Sequence, residues 1–274
     1  MTILQSILLG IIEGLTEFLP ISSTAHLIIA SSWLQLAESG FVKNFLISIQ
    51  LGAILSVAVL YFKTIINNPK LILKISSAFI PTAIIGLLAY KLIKNVLMES
   101  LPIIAGALIL GGIALIILEK RFAKIKENEE KKANSEIKTE IVSKDDETLN
   151  VISYKQAVLI GIFQALAVIP GVSRSAATIM GGLSLRISRK NIVEFSFLLA
   201  LPTMLAATVF DLYKSPPAFS QNEIVVWIIG ITVSFITALL GIKFFLKFIQ
   251  KHDFAPFGWY RIIIGLIVIA YLFI

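Results

Sequence analysis

The sequence predicts an all-α integral membrane protein built from an inverted-topology repeat. Three observations predict this fold class: a strongly apolar composition, recurring long apolar runs, and two polar stretches that resemble each other. Mean hydropathy is +0.90, and only 15% of the residues are charged, whereas a soluble domain carries about 25%. The apolar runs, of about 18 to 22 residues, are long enough to cross a hydrocarbon core of about 30 Å.

Charge and cysteine content exclude several classes of function. The net charge is +7, but the basic residues fall in the loops between the apolar runs. Such loops are typical of the cytoplasmic side of a membrane protein. We therefore expect no nucleic-acid partner. The chain contains no cysteine, which excludes disulfides, a thiolate nucleophile and a thiolate metal site.

The two polar stretches occupy residues 10–26 and 161–178, at an offset of 151 positions. The matched pairs are Gly10 and Gly161, Glu13 and Gln164, Ser22 and Ser173, and Thr24 and Ser175. Ionisable groups at membrane depth are costly, so they mark a functional site by default.

Helices are predicted over residues 2–19, 22–36, 43–62, 71–93, 102–121, 154–169, 174–186, 191–213, 223–249 and 257–273. Proline breaks the first pair at Pro20 and the 154–186 pair at Pro170, so each pair is interpreted as a re-entrant hairpin rather than two full spans. Each half then has one hairpin and three transmembrane helices. Because three is odd, the halves are inverted relative to each other.

These halves are a first repeat, 1–122, and a second, inverted repeat, 151–274, joined by a charged, flexible cytoplasmic linker, 123–150. The predicted topology sorts the 24 lysines and arginines unevenly. Lys43, Lys91, Lys94 and Lys214 lie on the side of the N-terminus. Arg174 lies inside the membrane, and all the others, including Arg261, lie on the opposite side. This bias places both termini outside the cytoplasm. Tyr260 and the tryptophans are expected at the membrane interfaces.

Glu13 and Glu17 are four residues apart and share one helix face. Two such carboxylates repel each other unless one is protonated or a cation lies between them. Oxygen ligands suit Mg²⁺ or Ca²⁺, so a divalent cation is the expected cofactor. The alternative is a buried acid pair that only holds helices together.

Ser22, Ser23, Thr24 and His26 fall within about one helical turn. A serine hydroxyl becomes a nucleophile when a base takes its proton, and either Glu17 or His26 is suited to that role. The alternative is that the serines only cap the helix and His26 only bonds a backbone carbonyl.

Arg174 begins the helix after the second break and is flanked by Ser173 and Ser175. Helix N-terminal N–H groups and a permanently charged guanidinium together favour binding of a phosphate. The structural alternative, which is compatible with this one, pairs Arg174 with Glu13 or Glu17 across the two halves.

If the hairpins meet near the midplane, these groups suit phosphoryl transfer from an anionic substrate, with the serine accepting the phosphoryl group or orienting a water. The predicted pyrophosphate-binding set contains Arg174 with its neighbours Ser173, Ser175 and Thr178. It also contains Ser22 and Thr24 from the first polar stretch. Gln50 and Gln164 either line the same cavity or make helix–helix hydrogen bonds.

Residues 13–26 (EGLTEFLPISSTAH) and 170–178 (PGVSRSAAT) resemble the two signatures of the undecaprenyl-pyrophosphate phosphatases, also called bacitracin-resistance proteins. The resemblance implies a membrane enzyme that hydrolyses undecaprenyl pyrophosphate to the monophosphate and so recycles the lipid carrier of cell-wall synthesis. It also implies a divalent cation and a location in the bacterial plasma (inner) membrane.

By position, the resemblance assigns Glu13 and Glu17 to the family's acidic pair. Ser23 matches the proposed nucleophile, His26 the histidine, and Arg174 the pyrophosphate-binding arginine.

A lipid-phosphate flippase or transporter is the alternative function, because inverted repeats with broken helices are also a transporter architecture. The acid, serine and histidine cluster occurs in one half only, and this asymmetry favours chemistry over transport. The sequence leaves the oligomeric state open, and a homodimer is compatible with it.

Overall fold

The structure is a computed structural model that describes residues 1–37, 39–92, 100–135, 149–214 and 220–273. The described residues are almost entirely helical and contain no strand. Their α-helices, numbered along the chain from α1 to α11, are Ile3–Thr16, Ser23–Trp33, Gly40–Leu60, Phe62–Asn67, Pro69–Leu92, Leu101–Ser135, Tyr154–Ala165, Arg174–Ser184, Arg189–Lys214, Gln221–Ile249 and Ala255–Tyr271. This confirms the predicted all-α class.

Five of the described helices are long and apolar enough to cross a membrane: α3, α5, α6, α9 and α10. The helix α11 is also apolar but has only 17 residues. The chain is therefore a multi-pass membrane protein, and α11 is the shortest of the six predicted spans. The helices of the two predicted hairpins are shorter still, at 14, 11, 12 and 11 residues.

Both predicted hairpin breaks are present. α1 ends at Thr16, and α2 begins only at Ser23, after Pro20. The second break starts with a 3₁₀ turn, Leu166–Val168, and ends before α8. Each break closes on a serine with a positive φ, 72° at Ser22 and 73° at Ser173, whose side chain caps the following helix.

The local geometry of the two hairpins repeats at the 151-residue offset. The amide of Gln5 donates to the carbonyl of Leu34, and that of Gln156 donates to the carbonyl of Leu185, over the same chain separation of 29 residues. Both glutamines also belong to a capping box at the start of their helix. These matched bonds support the predicted duplication, and the inverted orientation of the halves stays a prediction.

Each hairpin packs on a long helix of the other half, α1 on α10 and α7 on α5. Glycine permits the close approach, since a Cβ at Gly10 would lie 2.8 Å from the carbonyl oxygen of Gly230, and one at Gly161 would clash with the backbone of α5. A threonine then bonds each glycine carbonyl, Thr237 to Gly10 at 3.2 Å and Thr82 to Gly161 at 2.8 Å. The halves are thus interlocked around the hairpins.

A cluster of phenylalanine rings packs beside the first break. The ring of Phe18 meets that of Phe197 edge to face at 5.2 Å, and Phe197 contacts Phe245 at 6.1 Å. All three side chains are fully buried. Between membrane-spanning helices such packing acts through van der Waals contact rather than through transfer from water, and it holds the residues that follow Glu17 against α9 and α10.

The first part of the predicted linker, residues 123–135, is helical, because α6 continues to Ser135. The physical reason is composition: the continuation is rich in Lys, Glu and Ala, which are strong helix formers even where they are fully solvated. Residues 136–148 of the predicted linker lie outside the described residues. The short helix α4 was not predicted either, since six residues carry too little periodicity to detect.

Candidate active site

The two breaks meet at a three-residue cluster formed by Glu17, Ser23 and Arg174. The Ser23 hydroxyl donates to Glu17 Oε2 at 2.5 Å. The other oxygen of that carboxylate, Oε1, accepts from Arg174 Nη2 at 3.2 Å. Glu17 and Ser23 are 8% and 6% exposed, so the predicted acid, alcohol and guanidinium lie together in a largely dry site, where charge interactions are strong.

Arg174 is fixed from behind. Its Nη1 donates to the carbonyl oxygen of Ser196 at 2.6 Å and to the Ser196 hydroxyl at 3.2 Å. The guanidinium also lies over the face of Phe18, 5.7 Å from the ring centre. The predicted binding residue Thr178 supports the same arrangement, because its hydroxyl bonds that of Ser196 at 2.6 Å. The guanidinium Nε of Arg174 is buried without a hydrogen-bond partner among the described residues.

Hydroxyl groups also bridge the two breaks. Ser175 donates to the carbonyl of Leu19 at 2.7 Å and lies 3.1 Å from the hydroxyl of Ser173. Ser173 in turn caps α8, as Ser22 caps α2. The capping role considered for Ser22 is therefore observed, and the N-termini of two helices are held at one site.

Glu13 is the one member of the predicted acidic pair that lacks a partner among the described residues. It is fully buried, one turn before Glu17, and neither of its carboxylate oxygens accepts a hydrogen bond there. Buried polar groups in proteins are nearly always satisfied. A buried carboxylate without hydrogen-bond partners, one helical turn from a second carboxylate, fits a hard divalent cation, which takes oxygen ligands.

The hydrogen bonds of His26 go to residues outside this cluster. Its Nδ1 pairs with the carbonyl of Ser22 at 2.7 Å, and its Nε2 lies 2.8 Å from the Tyr260 hydroxyl. The two rings are parallel, with centres 5.6 Å apart. The hydrogen bond to a backbone carbonyl that was considered for His26 is therefore present, together with the contact to Tyr260. Sequence reasoning placed Tyr260 at the membrane interface and missed this contact.

Among the described residues, no hydrogen bond joins three other predicted binding residues to Glu17, Ser23 or Arg174. Gln164 donates to Thr82 and Thr203, both at 3.0 Å, which is the helix–helix role considered for it. Gln50 is half-buried on α3, and Thr24 lies partly exposed in the first turn of α2. The hydrogen bonds recorded for the described residues do not connect either of them to Arg174.

Arg261 is the residue that sequence reasoning misplaced. It was counted among the charges of a cytoplasmic loop, but it is fully buried within α11 and bonds the backbone of both breaks. A signal was available, because Arg261 falls inside the predicted helix 257–273, where a charge is expensive.

Comparisons with known proteins match the chain over nearly its whole length. The family model described as "Bacitracin resistance protein BacA" matches residues 6–267. A protein of Aquifex aeolicus named undecaprenyl-diphosphatase is 46% identical over 274 residues, which cover 99% of each chain. A protein of the same name from Wolinella succinogenes is 47% identical over 99% of each chain. Another, from Bdellovibrio bacteriovorus, is 44% identical over 100% of this chain and 97% of its own.

Proposed function

Because this chain belongs to the bacitracin resistance protein BacA family, we propose that it hydrolyses undecaprenyl pyrophosphate to undecaprenyl phosphate and inorganic phosphate. One observation carries the proposal. The Ser23 hydroxyl donates at 2.5 Å to a carboxylate that is itself paired with Arg174 from the other half of the chain. These contacts support Ser23 as the nucleophile, Glu17 as the proton acceptor and Arg174 as the phosphate-binding cation.

The first step of the proposed reaction is attack of Ser23 Oγ on the terminal phosphorus. The hydroxyl proton passes to Glu17 as the Oγ–P bond forms, and the bond from phosphorus to the bridging oxygen breaks. Undecaprenyl phosphate leaves with that oxygen. Water then attacks the phosphorus of the phosphoserine, the Oγ–P bond breaks, and Oγ takes the proton back from Glu17. Inorganic phosphate leaves with the oxygen and protons of that water. Arg174 and the N–H groups that begin α2 and α8 bind the anionic oxygens throughout.

Glu17 is a better-placed base than His26. A general base must lie within hydrogen-bond reach of the proton it takes, and Glu17 Oε2 satisfies this at 2.5 Å. Both ring nitrogens of His26 are engaged, by Ser22 and by Tyr260. His26 then acts by tying the start of α2 to α11.

A divalent cation would be held by Glu13 and Glu17, beside the Ser23 hydroxyl. When bound, it would neutralise charge on the pyrophosphate and polarise its phosphoryl oxygens. The orphaned Glu13 carboxylate is the support for this assignment. No hydrogen bond engages the Glu13 carboxylate among the described residues, whereas the Glu17 carboxylate accepts hydrogen bonds from Ser23 and Arg174.

The location proposed for the enzyme is the bacterial inner membrane, with both termini on the outer side. The uneven distribution of lysine and arginine supports this orientation. The 151-residue correspondence between the hairpins supports an inverted repeat, in which the two breaks approach the midplane from opposite sides. The relatives reported above carry the name of a hydrolase, and they give the transport alternative no support.

Phosphate release by purified protein supplied with undecaprenyl pyrophosphate and Mg²⁺ or Ca²⁺ tests the proposal. We expect Ser23→Ala and Arg174→Ala to lose at least about a hundredfold in turnover, the scale of losing one transition-state contact. Matched controls are Ser77→Ala and Arg121→Ala, which are outside the cluster. Turnover at the wild-type rate by both site variants would refute the assignment.

A further inference from the structure

Arg261 uses every donor of its guanidinium on backbone carbonyls. An arginine side chain has five N–H groups, and the structure shows five hydrogen bonds from Arg261, at 2.9–3.4 Å. The acceptors are the carbonyl oxygens of Pro20, Ala107, Leu108, Gly171 and Val172. The side chain is 0% exposed. A buried charge that is bound wholly by carbonyl dipoles constrains those carbonyls tightly.

The five acceptors come from three separate parts of the chain. Pro20 lies in the first break, Gly171 and Val172 lie in the second, and the remaining two lie in α6. Nη1 alone joins the two breaks, with Pro20 at 3.1 Å and Val172 at 2.9 Å. One guanidinium therefore fixes both breaks to each other and to a membrane-spanning helix.

The fixed points lie next to the reacting groups in sequence. Pro20 is three residues before Ser23, and Val172 is two residues before Arg174. A residue spans at most about 3.6 Å of chain, so a shift at either carbonyl carries directly into the start of α2 or α8. Irregular backbone at membrane depth also needs partners for its carbonyls, and Arg261 supplies them.

We propose that Arg261 is a positioning residue for the phosphatase reaction: by bonding the carbonyls of both chain breaks, it sets the separation between the Ser23 nucleophile and the Arg174 anion clamp. The inference rests on the proposed function. Misplacing reacting groups by about 1 Å costs about a hundredfold in rate. We call the five hydrogen bonds of Arg261 the bracket. Its loss lowers kcat while the KM for the lipid changes much less, because each half of the site keeps its own binding groups.

Substitution at Arg261 tests the bracket directly. We expect Arg261→Met, which has no donor, to lose about a hundredfold in kcat. Arg261→Lys keeps the charge but has only three donors, so it should fall between Arg261→Met and the wild type. Val268→Ala is the matched control, since Val268 is buried in the same helix but is not bonded to either break. It should keep the wild-type kcat per folded molecule.

A second variant tests the same bracket without removing the arginine. A Cβ at Gly111 would press on Arg261 Nη2, whereas a Cβ at Gly106, on the same helix, would meet open space. We expect Gly111→Ala to lower kcat in the same direction as Arg261→Lys, and Gly106→Ala to leave it unchanged. This pair decides the question even if Arg261→Met does not fold.

The distance between the hairpins gives a readout that is independent of activity. The chain has no cysteine, so nitroxide labels can be attached at Ser32→Cys and Ser184→Cys, which are exposed at the ends of α2 and α8. Double electron–electron resonance then measures the distance between the two labels. We expect the distance distribution to broaden or shift with Arg261→Lys and Gly111→Ala, and to stay unchanged with Val268→Ala.

The outcomes separate this proposal from the proposed function. Reduced kcat together with an altered distance distribution supports the bracket. Wild-type kcat in Gly111→Ala and Arg261→Lys overturns it, as does reduced kcat with an unaltered distribution. If the unsubstituted protein releases no phosphate, the proposed function has failed, and the distance measurement still decides whether Arg261 sets the spacing of the breaks.

Discussion

Glu17 and Arg174 are 157 residues apart in the chain and form an ion pair at 3.2 Å. Each of them is held by a second contact, Glu17 by the Ser23 hydroxyl and Arg174 by Ser196. The pair therefore joins the nucleophile of one hairpin to the anion-binding group of the other. It also satisfies the structural alternative for Arg174, so the same residue joins the two hairpins and is available to a phosphate.

Replacing Glu17 by glutamine should remove the base and keep the shape of the side chain. A glutamine accepts the Ser23 hydrogen bond but does not take up the proton. General base catalysis contributes about 10²–10⁴ in rate, so we expect a loss of that size in kcat, measured by phosphate release at saturating lipid. The matched control is Glu223→Gln at the exposed start of α10, which should be neutral.

Replacing His26 should be milder than replacing Glu17 if His26 only anchors α2. We expect His26→Ala and Tyr260→Phe to lower kcat by similar factors, about tenfold or less, because each removes the same 2.8 Å contact. The double variant should then lose little more than either single one. A loss in His26→Ala as large as that in Glu17→Gln, with Tyr260→Phe unaffected, would identify His26 as the base.

Replacing Arg174 by lysine should not restore the site. Lysine keeps the charge but lacks the planar fork that reaches Glu17 and Ser196 together. We expect Arg174→Lys to lose at least about tenfold in kcat/KM, which corresponds to about 1.4 kcal/mol. Arg121→Lys serves as the control at an exposed position. An Arg174→Lys variant as active as the wild type would show that only the charge matters.

Glu13 should govern the requirement for a divalent cation. We expect a chelator to abolish phosphate release and Mg²⁺ or Ca²⁺ to restore it. Glu13→Gln should need a higher ion concentration for half-maximal activity, since it removes one of the two carboxylates available to the ion. Measuring the rate against ion concentration checks this, with Glu119→Gln as a second buried carboxylate away from the site. An unchanged ion dependence in Glu13→Gln would contradict the assignment.

Gln164, the counterpart of Glu13, should affect stability rather than chemistry. Gln164→Leu loses the hydrogen bonds to Thr82 and Thr203, and a lost buried hydrogen bond costs about 1–3 kcal/mol. We expect a lower Tm with an unchanged kcat per folded molecule, and the exposed control Gln221→Leu should alter neither. A large kcat loss at an unchanged Tm would instead support the binding role that the sequence left open.

Much of the site follows from local rules that the sequence displays. Pro20 and the Pro170-Gly171 pair mark the breaks because proline interrupts helices, and the four-residue spacing of Glu13 and Glu17 fixes their shared face. Similar signals at a constant offset indicate the duplication. All of these features depend on neighbours within a few residues along the chain.

The features that sequence reasoning missed depend on partners far away in the chain. Nothing near His26 indicates that its ring meets Tyr260, 234 residues later. Arg261 was assigned to a loop because a charge is usually exposed, yet here five backbone carbonyls bind it. A single sequence shows which groups need partners, but packing decides which partners they find.

A double-mutant cycle between Ser23 and Arg174 tests the central claim most directly. Phosphate release is measured for Ser23→Ala, Arg174→Ala and the double variant under single-turnover conditions. If both residues act on one pyrophosphate, the double variant loses about as much as the more damaged single variant, as expected for residues that act as a unit. Losses that simply multiply, or a Ser23→Ala variant with wild-type turnover, would contradict a shared site between the two hairpins.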